Sequence, residues 1–103
     1  MDIDSLCLRV FQYSFGQSID LFRIVAYVTI KVKVFPFDKD EFKTMFRQLV
    51  RNTPLSNVDL DIIETEEVPD GILIMDSMET FSDDGNPPET IPFHDILREI
   101  PLK

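Results

Sequence analysis

The clearest pattern in the chain is an alternation of apolar and other residues over positions 22–35. The apolar side consists of Phe22, Ile24, Ala26, Val28, Ile30, Val32 and Val34. The other side consists of Arg23, Val25, Tyr27, Thr29, Lys31 and Lys33. Because a period of two is typical of a β-strand with one buried face, residues 22–35 are predicted to form a long strand. Pro36 ends it, since proline cannot donate a ladder hydrogen bond.

Two segments show the helical period instead. Residues 3–15 are predicted to form a helix whose apolar face is Ile3, Leu6, Cys7, Val10, Phe11 and Phe15, with Gly16 as its stop. Residues 39–51 are predicted to form a second helix whose buried face is Phe42, Met45, Phe46, Leu49 and Val50. Asp38 is its predicted N-cap, because a carboxylate there accepts a hydrogen bond from an orphan backbone amide. Asn52 can adopt the left-handed conformation that ends a helix.

The remaining apolar segments are shorter. Residues 57–64 alternate as a second strand with Asp59 and Asp61 on its outer side, residues 64–71 read as a turn, and residues 72–75 are strand-like. Residues 76–92 are predicted to be a mobile acidic loop, and residues 93–102 suit either a helical turn or a strand. This order predicts one α+β domain over residues 1–103. Its architecture is a two-layer sandwich in which a small mixed sheet carries two helices on one face.

Charge divides the chain unevenly. Residues 57–103 have a net charge of −11 and residues 1–56 a net charge of +2, which together give the −9 of the whole chain. An acidic chain disfavours nucleic acid as a direct ligand, because phosphate binding requires clustered Lys and Arg. It suits a partner protein with a basic surface.

We expect a cytoplasmic protein with no membrane contact. The apolar stretch of residues 22–35 is interrupted by Arg23, Lys31 and Lys33, and the N-terminal residues lack the basic and apolar regions of a secretory signal. With one cysteine, no internal disulfide is expected.

The residue types that usually carry chemistry are sparse. His94 and Cys7 lack further His or Cys partners for zinc, and Asp83, Asp84 and Asn86 do not have the spacing of an EF-hand loop. Cys7 lies on the apolar helix face, where a buried and inert thiol is usual. We therefore expect no catalytic residue, no bound metal and no cofactor.

Two charged rows are the candidate binding surfaces. The basic row is Lys39, Lys43, Arg47 and Arg51 on the second helix, and the alternative is that it pairs with the protein's own acidic half. The acidic set is Asp59, Asp61, Glu64, Glu66 and Glu67, together with Asp83 and Asp84, and the alternative is a solubilising surface. We take the acidic set as the predicted partner-binding residues.

Residues 1–69 resemble the N-terminal domain of the HypA family of hydrogenase nickel-insertion accessory proteins. The matching pieces are Met1–Cys7, Ile24–Val34, Phe42–Phe46, Val50–Leu55 and Val58–Pro69. Two departures stand out: the family's nickel-binding histidine corresponds to Asp2, with Ile3 in place of the glutamate after it, and residues 70–92 lack the cysteines of the family's zinc domain. The resemblance therefore implies a scaffold without metal sites that keeps a partner-docking sheet.

These observations favour a non-enzymatic accessory or adaptor protein that binds another protein through its acidic C-terminal half. The alternative is an inhibitor or immunity-type protein, for example one encoded by a phage, that blocks a basic nucleic-acid-binding target. A third reading is an enzyme that uses carboxylates alone.

Overall fold

The chain folds into two helices and a five-stranded mixed sheet, which confirms the predicted α+β class. The computed structural model describes residues 1–19, 21, 23–81, 85 and 87–102. The elements are α1 (Ile3–Ser18), β1 (Ile24–Val32), α2 (Lys39–Leu49), β2 (Asp59–Glu64), β3 (Ile72–Phe81), β4 (Glu89–Pro92), a 3₁₀ helix (Asp95–Leu97) and β5 (Glu99–Pro101).

The strand order is β2-β1-β3-β4, and β5 pairs with β3 beside β4. Strand β2 is parallel to β1, whereas the other pairings are antiparallel. Both helices pack on the same face of the sheet, because their side chains join those of the strands in a single core. Its fully buried members include Leu6 and Val10 from α1, Phe42 and Phe46 from α2, and Ile30 from β1. No described element covers the opposite face of the sheet.

Helix α1 continues past the predicted stop at Gly16 to Ser18. A Cβ atom at position 16 would lie 3.4 Å from Leu97 Cδ1, an ordinary van der Waals contact, so Gly16 faces the 3₁₀ segment. At the other end Asp2 is the N-cap, and its carboxylate accepts a 2.7 Å hydrogen bond from the Ser5 amide.

Strand β1 keeps the predicted alternation only in part. Ala26 is an extra residue opposite β3, since Val25 pairs with Thr80 and Tyr27 with Glu79. This β-bulge moves Val25 into the core and leaves Ile24 38% exposed, the reverse of the prediction. Phe22, which was predicted on the apolar side, lies outside the described residues.

The prediction of a loop over residues 76–92 is wrong for residues 76–81, which continue β3, and for residues 89–92, which form β4. A second bulge explains the error for β3: Thr29 pairs with Ser77 and Ile30 with Met75, so Asp76 is an extra residue. The bulge breaks the period of two on which a strand is recognised. Residues 93–102 combine both of the open alternatives, a 3₁₀ helix followed by β5.

Helix α2 follows its local signals most closely. Asp38 caps it by accepting a 2.8 Å hydrogen bond from the Glu41 amide, and Asn52 has the left-handed φ of 64°. The helix ends at Leu49, which is 37% exposed and not buried as predicted. Phe42 is fully buried and meets Phe35 edge-on, with ring centroids 5.1 Å apart. Strand β2 begins at Asp59, two residues later than predicted, with Val58 and Leu60 buried as expected.

Candidate protein-interaction face

The uncovered side of the sheet, here called the open face, is built by strand alternation. Val28, Leu60 and Met78 are paired across β1, β2 and β3 and point into the core. Their neighbours Tyr27, Asp59 and Glu79 are also paired across the three strands, and all three are exposed. Since successive side chains of a strand point to opposite sides, these three side chains lie on the open face.

Tyr27 therefore lies between two carboxylates. It pairs with Asp59 in the parallel ladder and with Glu79 in the antiparallel ladder, where directly opposed residues have Cβ atoms about 4.5–5.5 Å apart. Tyr27 is 45% exposed. The next row across the same strands is Asp61, Thr29 and Ser77, which places a third carboxylate beside the first two.

The open face has a net negative charge among the described residues. Its lysine, Lys31, pairs with Asp76 at 3.5 Å. No described basic side chain lies within 4.0 Å of the carboxylates of Asp59, Asp61 or Glu79. The open face is thus acidic, and the aromatic ring of Tyr27 lies between two of its carboxylates.

The predicted acidic set divides into two groups. Asp59 and Asp61 lie on the open face, but Glu64 has the opposite strand parity and points toward α2. Its carboxylate accepts a 3.0 Å hydrogen bond from the Phe35 amide and another from the Lys39 ammonium. The Lys39 hydrogen bond, with the Phe35 amide as a second cause, lowers the pKa of Glu64 below its ordinary value.

Acidic residues in the turn after β2 also form ion pairs within the protein. Lys33 lies 3.8 Å from Glu66 and 3.7 Å from Asp70, whereas Glu67 is exposed. Asp83 and Asp84, the other two predicted binding residues, lie outside the described residues. The structure therefore brings Asp59 and Asp61 together and does not place Glu64 on their surface.

The basic row of α2 lies beside the same strand. Lys39 is paired with Glu64, in agreement with the alternative that this row meets the protein's own acidic half. Lys43 and Arg47 line a cleft of about 370 Å³ at the edge of β2, together with Tyr27, Phe46, Val58, Asp59, Leu60 and Asp61. The cleft is lined by charges of both signs, basic from the helix and acidic from the strand.

Cys7, one of the candidate catalytic groups, is poorly placed for nucleophilic chemistry. Cys7 is buried, and desolvation, with a smaller effect of Asp4, raises the pKa of its thiol to about 11. The thiol is therefore protonated at neutral pH, and a thiol is a weak nucleophile. His94 is exposed. Within the described part of the chain, no group of three or more His, Cys, Asp or Glu side chains is arranged to hold a metal ion.

Tyr27 and Glu79 are the site residues that sequence reasoning missed. Tyr27 was placed on the outer side of its strand by alternation, but nothing in the pattern showed which residues would flank it. Glu79 fell in the segment predicted as a loop. Comparison with known protein families, curated proteins and solved structures finds no match to this chain. None of the described helices is both long and apolar enough to cross a membrane.

Proposed function

We propose that this protein is a non-enzymatic, cytoplasmic accessory or adaptor protein that binds a basic surface of another protein through its open face. The observation that supports this proposal best is the row Asp59, Tyr27 and Glu79, in which an exposed aromatic ring is flanked by carboxylates. A Lys or Arg side chain placed over Tyr27 gains a cation–π contact and the two negative charges at once.

The free energy gained from such a contact depends on how completely the contact is excluded from water. A cation over an aromatic ring contributes about 0.5–1 kcal/mol at an exposed site and about 2 kcal/mol when desolvated. Exposed charges around it act mainly on the association rate, because they steer the encounter and are screened by salt. The open face is therefore suited to fast, salt-dependent capture.

The proposed relation to HypA-like accessory proteins concerns the scaffold alone. Position 2, which corresponds to the family's nickel-binding histidine, is Asp2, whose carboxylate caps α1. Ile3 is partly buried against the core. Both residues have structural roles, so metal delivery is not part of the proposal.

The test compares two variants, each of which removes three negative charges from a different surface. The open-face variant is Asp59→Asn, Asp61→Asn and Glu79→Gln. The control, on the helix side, is Asp40→Asn, Glu41→Gln and Asp95→Asn, all exposed positions. With a partner captured from the native host, we expect the open-face variant alone to slow association about tenfold at low salt, with a smaller effect at high salt.

A variant of the basic row, Lys43→Gln with Arg47→Gln, completes the design. Suppose that binding of the partner is unchanged by salt and by the open-face substitutions but is lost in the basic-row variant. The partner then binds the basic row and not the open face. The inhibitor alternative is favoured by the same carboxylates of Asp59, Asp61 and Glu79, and it differs from the adaptor proposal in its target. In that case the protein displaces nucleic acid from the captured partner in a competition assay.

A further inference from the structure

The two edges of the sheet differ in their ability to accept another strand. One edge is divided between β4 and β5, which are short and end at Pro92 and Pro101. Proline on an edge strand removes a backbone donor and hinders further pairing. The other edge is β2, which has six residues and no proline.

The backbone groups on the outer edge of β2 can be identified from the ladder. The Thr65 amide donates a 2.9 Å hydrogen bond to the Val32 carbonyl, so Thr65 faces β1. Because backbone direction alternates along a strand, Asp61 and Ile63 also face β1, and Leu60 and Ile62 face outward. Among the described residues, β2 pairs with β1 alone, and no turn or loop backbone hydrogen bond involves Leu60 or Ile62.

A strand added at this edge would have two different sides. On the open-face side, its side chains would lie beside Asp59 and Asp61. On the helix side, they would lie beside Phe46, Lys43 and Arg47, which line the part of the cleft that α2 contributes. The first environment favours Lys or Arg, and the second disfavours them and favours uncharged residues.

The same charges argue against a second copy of this chain as the added strand. Antiparallel pairing of two β2 edges would bring Asp59 and Asp61 of both copies onto one face. Like charges on neighbouring strands are destabilising.

We propose that the β2 edge binds an extended segment of the partner protein as an additional strand, with Lys or Arg at alternate positions on the open-face side. This proposal rests on the proposed function, since it specifies how a basic partner meets the acidic face. Main-chain hydrogen bonds would supply affinity, and the alternating side chains would supply selectivity.

The test uses blocked eight-residue peptides and the whole protein. The first probe alternates lysine with threonine, the second has the same composition with all lysines in one block, and the third replaces lysine by glutamate. The readouts are binding by NMR titration and amide hydrogen exchange. In the free protein, the Leu60 and Ile62 amides should exchange faster than those of Asp61 and Ile63.

We expect the alternating peptide to bind more tightly than the block peptide and to slow exchange at Leu60 and Ile62. Ile62→Pro removes one outward amide and should weaken binding about fivefold, the effect of one hydrogen bond. Ile62→Val keeps that amide and should bind normally. The exchange measurement on the unmodified protein does not depend on whether the proline variant folds.

Three outcomes overturn the inference. Slow exchange at Leu60 and Ile62 in the free protein would mean that the edge is already covered. Equal binding of both lysine peptides without protection at these amides would exclude strand addition while leaving the acidic face as a binding surface. Failure of both lysine peptides to bind would count against both proposals.

Discussion

Gln17 is a buried polar side chain that joins α1 to the segment after β4. It is 4% exposed. Its amide oxygen accepts a 3.0 Å hydrogen bond from the His94 backbone amide, and its amide nitrogen donates a 3.4 Å hydrogen bond to the Pro92 carbonyl. Gln17→Ala should therefore destabilise the fold by separating the helix from the β4 end of the sheet.

The magnitude follows from the groups that are lost. The shorter bond, to His94, is worth about 1 kcal/mol, and the long bond to Pro92 is worth less. Removing one buried methylene costs about 0.8 kcal/mol, partly offset by the better helix propensity of alanine. We expect a loss of about 2 kcal/mol in the free energy of unfolding, or roughly 10 °C in Tm for a domain of this size.

The assay is thermal and urea unfolding of three variants. Gln12→Ala, at an exposed position of the same helix, is the matched control and should change stability by less than about 0.5 kcal/mol. Gln17→Met restores the chain length without the hydrogen bonds and should recover less than half of the loss. If Gln17→Ala unfolds at the same temperature as Gln12→Ala, the bridge to His94 and Pro92 does not stabilise the fold as argued.

Two further predictions concern α2 and its partner strand. Asp38→Ala should lower the free energy of unfolding by about 1 kcal/mol in urea denaturation, because the Glu41 amide loses its acceptor, and an unchanged midpoint would mean that the cap is not needed. Glu64→Gln should destabilise the protein at neutral pH, because the charged partner of Lys39 is lost. The pKa of Glu64 is lowered in the folded protein, so its contribution is present above the unfolded-state pKa and is lost as pH falls through the folded value. The stability difference between Glu64→Gln and the unmodified protein should therefore shrink in acid, and a difference independent of pH would contradict this origin.

The features that were predictable from sequence are local ones. Helix α2 carries its start signal at Asp38, which caps the helix as expected. The helix ends at Leu49, two residues before the predicted bound, and Asn52 adopts its left-handed conformation in the turn that follows. The prediction for β3 failed after Met75 because the extra residue Asp76 interrupts the alternation. The strand continues through this bulge because it pairs with β1, which lies far away in the sequence. Gly16 was read as a stop signal, but α1 continues through it to Ser18, so the glycine does not end the helix.

The candidate site also combines features set by the local sequence with features set by the pairing of distant strands. Asp59 and Asp61 could be placed on one surface by alternation alone. The same rule places Glu64 with Leu60 and Ile62, on the other side, although its charge suggested one continuous acidic row. The flanking of Tyr27 by Asp59 and Glu79 depends on the register of three strands, which no local pattern specifies.

Folding also decides where the excess negative charge remains. The basic N-terminal half is brought against the acidic C-terminal half through Lys31 with Asp76, Lys33 with Glu66 and Asp70, and Lys39 with Glu64. Exposed pairs of this kind add little stability, but each lowers the negative potential around it. The carboxylates of Asp59, Asp61 and Glu79 have no such partner among the described residues. These three carboxylates therefore keep their negative charge on the open face, where Tyr27 lies between two of them and the outward amides of Leu60 and Ile62 follow the neighbouring edge.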